Sequence, residues 1–339
     1  MPIEPRRYTP RPDPGQTGPY VANDDLAQAT LWPIGQRADD VAPETAVVGP
    51  QDGLIYTGLA NGWIVRLDPR DGRARKFVEV GPRPLGMVFR PDGTLLVAHT
   101  SKGILAITPD GRVETIANCI DGPFPLFTDS LVLARDGAIW FTCPSRRFDL
   151  DGVRLDAMEG RPTGRLVRHD PATGRTTVEL DELMFANGVA MGTDDAFVLV
   201  NEWNGYRVTR LWLSGPKRGR REPFIDDLPG YPDNIHRDEH GLYWVGLVVR
   251  RNAALDRLHP HPFLMKILPR IPESLQPHAP LFGWLLALDE NGRVVHNLQD
   301  ATGHTDQVTG ALRVGDQLYV TSNTMSAIAR MPVPPELKL

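Results

Sequence analysis

Cysteine is nearly absent: Cys119 and Cys143 are the only two, and neither sits in a C-x-x-C pair. This excludes a zinc ribbon and a disulfide-dense secreted scaffold, so reduced thiols and a cytoplasmic location are the expectation. Whether the exit of the second repeat and the second strand of the third bring the two sulfurs together is left open by the sequence. No apolar run reaches the length of a membrane-spanning helix, and the N-terminus lacks a basic-then-apolar leader pattern. Positive charge is not in excess, with 37 Lys and Arg against 42 Asp and Glu and a net charge of −5. That balance gives no field for nucleic acid or an anionic membrane surface. The one basic cluster, Lys217-Arg218-Gly219-Arg220-Arg221, reads as a solvated outer loop. No G-x-S-x-G elbow, phosphate-binding loop or dinucleotide fingerprint occurs, which removes covalent serine and nucleotide chemistry.

What is present is a repeat. A turn followed by a β-rich run recurs at Asp52-Gly53-Leu54-Ile55-Tyr56, Asp92-Gly93-Thr94-Leu95-Leu96, Asp136-Gly137-Ala138-Ile139-Trp140, Asp194-Asp195-Ala196-Phe197-Val198, His240-Gly241-Leu242-Tyr243-Trp244 and Gly315-Asp316-Gln317-Leu318-Tyr319. The turns at 53, 93, 137, 195, 241 and 316 are 40, 44, 58, 46 and 75 residues apart. A period of roughly 40 to 50 residues fits four short strands, the unit of a β-propeller blade. The expectation is all-β: one six-bladed β-propeller over 23–339, preceded by an extended or disordered arm over 1–22. The strand around Leu31 is expected to complete the last blade. The two long steps are insertions in blades three and five. The first, Pro144 to Arg161, is either a lid over one face or an inert loop. The second, 250–282, either packs on its own blade or offers an apolar surface to a substrate, a membrane or a second subunit.

Eight or nine residues before each turn the inner strand begins, which places Glu44, Leu85, Asp129, Asn187, Asp233 and Gln307 around the channel axis. Carboxylates gathered on one axis repel unless a cation neutralises them. An oxygen-only set of Glu, Asp and Asn suits Ca²⁺, with Mg²⁺, Mn²⁺ or Zn²⁺ as alternatives. Each residue also has a plainer reading. Glu44 pairs with an arginine such as Arg83, Asn187 satisfies strand ends, and Asp233 caps a turn. His236, His240, His259 and His261 lack zinc-ligand spacing.

The stretches Ala42-Pro43-Glu44, Gly164-Arg165-Leu166, Phe185-Ala186-Asn187-Gly188-Val189 and Leu228-Pro229-Gly230-Tyr231-Pro232-Asp233-Asn234-Ile235 resemble the strictosidine synthase-like proteins. These lie within the six-bladed superfamily of gluconolactonases, senescence-marker lactonases and paraoxonases. The resemblance implies an axial divalent cation, usually calcium, on Glu44, Asn187 and Asp233. Where the family often has Asn then Asp in blade three, this chain has Asp129 then Ser130. It also implies that condensation of an amine with an aldehyde needs a last-blade glutamate, which Thr302 to Thr309 lacks; strictosidine synthesis is therefore not expected.

The function expected is metal-dependent hydrolysis of a small-molecule lactone or ester. A cation polarises the carbonyl, Asp233 serves as ligand and base, and His304 is a second base unless it is a loop histidine bonded to backbone. Tyr231, Trp203, Arg146 and Trp244, with Trp140, are expected to meet a substrate less polar than a sugar lactone. A same-fold lyase or isomerase and a non-catalytic binding propeller are the alternatives.

Overall fold

The computed structural model describes residues 3–119, 127–272 and 280–335. They form six four-stranded antiparallel sheets, five of them meanders of consecutive strands. Blade one runs through Ala46–Val48, Ile55–Gly58, Trp63–Leu67 and Ala74–Glu79. Blade six is Val308–Val314, Gln317–Ser322 and Ala327–Pro332, with Thr30–Pro33 added antiparallel as its outermost strand, so that an early segment closes the last blade. The innermost strands touch one another in cyclic order, and blade six returns to blade one. The fold is a six-bladed β-propeller.

The strands form where the repeat places them because the Asp-Gly turns are self-capping. Asp92 Oδ1 accepts from Thr94 N at 2.9 Å and Asp136 Oδ1 from Ala138 N at 2.9 Å. Gly93 and Gly137 take φ of 87° and 82°, the left-handed backbone that glycine alone adopts freely. Apolar residues lie between neighbouring blades: Leu199, Tyr243, Val245 and Leu286 join blades four and five, and Leu285, Ala311, Leu318 and Ala329 join five and six. On the channel side the inner strands approach too closely for side chains. A Cβ on Gly188 would lie 2.6 Å from the Asp233 carbonyl oxygen, so only glycine fits there.

Both insertions carry short helices, α1 (Val153–Glu159) in blade three and α2 (Ala253–Leu258) and α3 (Pro262–Ile267) in blade five. Phe148, Met158 and Met265 pack together with Ile3 into a small apolar core between the insertions. The early chain crosses both: Arg6 N donates to the Glu159 carbonyl at 2.9 Å and Tyr8 N to the His259 carbonyl at 3.3 Å. The part of 250–282 at 273–279 lies outside the described residues.

One expectation is corrected. Cys119 and Cys143 are joined in a disulfide across 24 residues of sequence, with Cα atoms 6.1 Å apart. Repeat arithmetic places the end of one blade and the middle of the next without saying that their ends meet.

Candidate functional site

Asn187 and Asp233 stand on the inner strands of blades four and five, Ala186–Met191 and Gly230–Arg237, and Glu44 and Asp129 two residues ahead of those of blades one and three, Ala46–Val48 and Leu131–Leu133; each is only 4% exposed. In the inner strands of blades two, four, five and six the ladder shifts register around the axial position, between Pro84 and Met87, Ala186 and Val189, Pro232 and Ile235, and Val308 and Gly310. A bulge of this kind re-aims a side chain out of the alternating pattern. The residue two places earlier is left-handed in four blades: Ala42 (φ 61°), Arg83 (58°), Phe185 (61°) and Gln307 (43°).

That spacing corrects the sixth axial position. Thr309 follows Gln307 by two, as Asn187 follows Phe185, and is second in its strand like Leu85 and Asn187. Gln307, two residues earlier, still lines the cavity of the acidic set. The recurring pairs Leu85-Gly86, Asn187-Gly188 and Thr309-Gly310 were the available signal.

The four axial oxygen groups surround a cavity of about 140 Å³, also lined by Arg83, Gln307 and Asn323 and walled by Leu85, Phe127, Leu150, Val153, Phe185, Trp203, Val248 and Val249. Glu44 Oε2, Asp129 Oδ1, Asn187 Oδ1 and Asp233 Oδ1 are all buried without a hydrogen-bond partner. Their other contacts fix them. Asn234 Nδ2 donates to Glu44 Oε1 at 3.1 Å, Thr309 Oγ1 to the Glu44 carbonyl at 2.7 Å, and Asn201 Nδ2 to the Asp233 carbonyl at 2.6 Å.

Burial pushes the Glu44 carboxyl up to about 7, against the pull of Arg83 and Asn234. Burial, then the charge of Glu44, holds Asp129 well above the usual carboxylate range, and burial with Glu44 and Asp129 does the same to Asp233. Three acids that resist ionising together, beside four unpartnered oxygens, are the donor chemistry of a hard cation. Among the described residues no three His, Cys, Asp or Glu side chains make a metal cluster by themselves. The fit therefore depends on the Asn187 amide oxygen and on all the orphaned oxygens together, and unpaired buried oxygens are the more direct observation because each carries a desolvation cost.

A larger cavity of about 450 Å³ opens at the other end of the channel, past Ser130, Asn234, His236 and Thr321. It shares only Glu44 with the acidic set. Both its arginines are paired, Arg237 with Glu290 at 3.0 Å and Arg135 with Asp194 at 2.6 Å.

The remaining expected site residues are divided. Trp203 lines the small cavity. Tyr231 stands behind it, ring centroids 4.4 Å apart, with its hydroxyl accepting from Tyr206 at 3.0 Å. Arg146 lies beside Asp181 at 3.5 Å and donates to the Thr163 carbonyl, outside the cavity lining. Trp244 does not reach the mouth: it is buried among the blade five and six residues, donates to Asp238 at 2.9 Å and stacks on His296. Trp140 is buried against blade four. His304 meets the Ala29 carbonyl at 2.8 Å, where the early strand joins blade six, and is absent from the cavity. The insertion supplies Leu150 and Val153, neither singled out by sequence because an apolar residue in a long polar loop carries no motif.

A family model for strictosidine synthase matches residues 129–216, and one for the strictosidine synthase-like N-terminal region matches 18–67. Strictosidine synthase-like protein 6 of Arabidopsis thaliana is 33% identical over 299 residues, covering 86% of this chain and 78% of its own. Adipocyte plasma membrane-associated protein of Rattus norvegicus is 30% identical over 354 residues, covering 97% and 93%. Among solved structures, a gluconolactonase of Xanthomonas campestris aligns over 98% of this chain and 97% of its own with a TM-score of 0.64 at 16% identity. Regucalcin, a calcium-binding protein of Agrobacterium tumefaciens, aligns over 88% and 93% with a TM-score of 0.58 at 14% identity. These structural likenesses concern the fold.

Proposed function

The chain belongs to the strictosidine synthase-like family, and on that footing we propose that it is a divalent-cation-dependent hydrolase of the lactonase or esterase type. The observation that carries this reading is the set of four buried, unpartnered oxygens on Glu44, Asp129, Asn187 and Asp233 at one cavity. A gluconolactonase and a calcium-binding protein among the fold's relatives support it.

Glu44, Asp129, Asn187 and Asp233 would hold the ion, with calcium the best match to an all-oxygen set. When bound, such an ion supplies a Lewis acid that polarises an ester carbonyl. Asp233, whose buried Oδ1 has no hydrogen-bond partner at the cavity, takes the proton of the attacking water. Phe127, Phe185, Trp203, Leu150 and Val153 exclude bulk water and take an apolar acyl or alkoxy group. Blade six contributes Gln307 and Asn323 to the cavity lining, and no glutamate, which supports hydrolysis over amine condensation.

Two subsidiary proposals follow. The Cys119–Cys143 bond supports an oxidising compartment in place of the cytoplasm. Exposure of Phe263 at 75%, with Leu264, Ile267 and Ile271, supports use of the blade five insertion as a contact surface.

The test is metal analysis of the purified protein, followed by a panel of sugar, alkyl and aryl lactones before and after chelation. Near-stoichiometric calcium, with turnover lost on chelation and in Asp233→Asn, is the expected result. Bound metal without turnover of any panel member would favour a lyase or a binding propeller; no metal in the protein or on titration would remove the axial-cation reading.

A further inference from the structure

Blade two departs from the ring. Its axial residue is Leu85, which offers no oxygen, yet two residues earlier Arg83 turns into the same cavity as the acids. The arginine is held hard. It lies between Pro82 and Pro84, with left-handed φ of 58°, its backbone N donates to the Ala60 carbonyl, and Nη2 donates to Asn323 Oδ1 at 3.1 Å. A left-handed backbone is strained for a non-glycine residue and persists only where the surroundings enforce it.

What Arg83 does not do is equally specific. Elsewhere in the molecule several buried carboxylates next to an arginine are directly paired: Glu202 with Arg207 at 2.8 Å, Glu159 with Arg147 at 2.7 Å, Asp238 with Arg313 at 3.3 Å. Arg83 faces three buried carboxylates, bonds a neutral amide, and leaves its buried Nε without a partner. Among the described residues it forms no ion pair within 4.0 Å. A direct pair would consume one of the oxygens; an arginine anchored at a distance contributes its charge and leaves them free.

We infer that Arg83 is the built-in counter-charge that matches this site to a divalent ion. The inference rests on the cation reading above. Glu44, Asp129 and Asp233 carry three negative charges when ionised, a divalent ion brings two positive charges and Arg83 the last, so the loaded site is neutral. Asp129 and Arg83 are thus complementary. Without Arg83 the loaded site keeps one negative charge in a place where unbalanced charge is costly, and it becomes the match for a trivalent ion. Arg83 is a positioning residue of the electrostatic kind and need not touch the substrate.

The test is calcium titration by calorimetry and terbium luminescence on the full chain, in wild type, Arg83→Gln, Arg83→Lys, Asp129→Asn and the double variant Arg83→Gln with Asp129→Asn. Removing a positive charge from the neighbourhood should tighten Ca²⁺ binding on the order of tenfold and raise the Tb³⁺ preference further. Arg83→Lys should stay near wild type, Asp129→Asn should weaken binding about tenfold, and the double variant should return most of that loss. Calcium affinity unchanged or weakened in a folded Arg83→Gln overturns the inference, including the case in which only KM rises. If wild type itself takes no cation, the reading beneath it fails as well, and the two failures are thereby told apart.

Discussion

Asn234 donates one amide group to both the main-chain carbonyl and the carboxylate of Glu44, at 3.1 Å each. A blade five side chain thereby fixes a blade one acid, and the ring is tied across its axis at the floor of the cavity. Asn234→Ala leaves Glu44 Oε1 buried without a donor. The expected loss is about 1 to 3 kcal/mol of stability in chemical denaturation, with weakened calcium binding. An unchanged unfolding midpoint would show that Glu44 needs no such tether.

The acidic cavity should make cation stabilisation grow with pH. Glu44, Asp129 and Asp233 all have folded pKa values above their unfolded ones, Glu44 at about 7. In the window from the unfolded values upward, the metal-free folded state binds more protons than the unfolded chain, so stability contributed by these groups falls as pH rises. Calcium removes that cost because it replaces the protons. The rise in Tm on adding calcium should therefore be small at pH 5 and larger at pH 8; a shift that is equal at both, or larger at pH 5, contradicts the assignment.

The parts that repeat were legible in the sequence, and the parts that occur once were not. Asp-Gly turns recur because each blade needs the same chain reversal, and that periodicity alone led to six blades and to Glu44, Asp129, Asn187 and Asp233. It misplaced the sixth axial position at Gln307 because the blade six turn is shorter: Val314 pairs with Gln317 across Gly315-Asp316, whereas Phe89 pairs with Leu95 across five residues, so counting back the same distance overshoots. Trp244 and Trp140 were expected at the mouth because large aromatics serve pockets and cores alike; only the packing of neighbouring blades decides between them. Leu150 and Val153 depend on how an insertion folds back, and Arg83 on a charge relation between blades, so no local pattern marks either.

His304→Ala should leave kcat/KM within about twofold, because its ring nitrogen is engaged with the Ala29 carbonyl away from the cavity. Trp203→Ala should raise KM for aryl and alkyl esters several-fold by opening the apolar wall. Activity lost in the histidine variant while the fold persists would return His304 to the role of base.

Reduction of the Cys119–Cys143 bond should destabilise the protein by about 3 kcal/mol, the scale for a closed loop of this length. Thiol titration of the unfolded, unreduced protein should find no free cysteine. A Cys143→Ser variant that unfolds at the wild-type denaturant concentration would show the bond to be dispensable, and a titre of two thiols that it does not form.

Asp156 ties the cover of the cavity to its wall. Its carboxylate accepts from Ser145 Oγ at 2.6 Å and from Asn204 Nδ2 at 3.1 Å; α1 thereby joins the residue that follows Trp203. Burial first, and Glu159 next among the groups that push it up, raises this carboxyl to about 7, against the hydrogen bonds from Ser145 and Asn204. The folded state keeps the extra proton between the unfolded value and about 7, so the stability that this buried group contributes to the closed cover is greatest at low pH and falls as pH rises through that window. After correction for intrinsic rates, amide exchange in 153–159 should be faster at pH 8 than at pH 5.5. Asp156→Asn should abolish the difference, since an amide does not titrate: Ser145 Oγ, which already accepts from Arg147 N and Phe148 N, still donates to the new amide oxygen, and the Asn204 amide turns so that its oxygen accepts from the new NH₂. Exchange that is independent of pH in wild type, or equally dependent in the variant, would place the titrating group elsewhere.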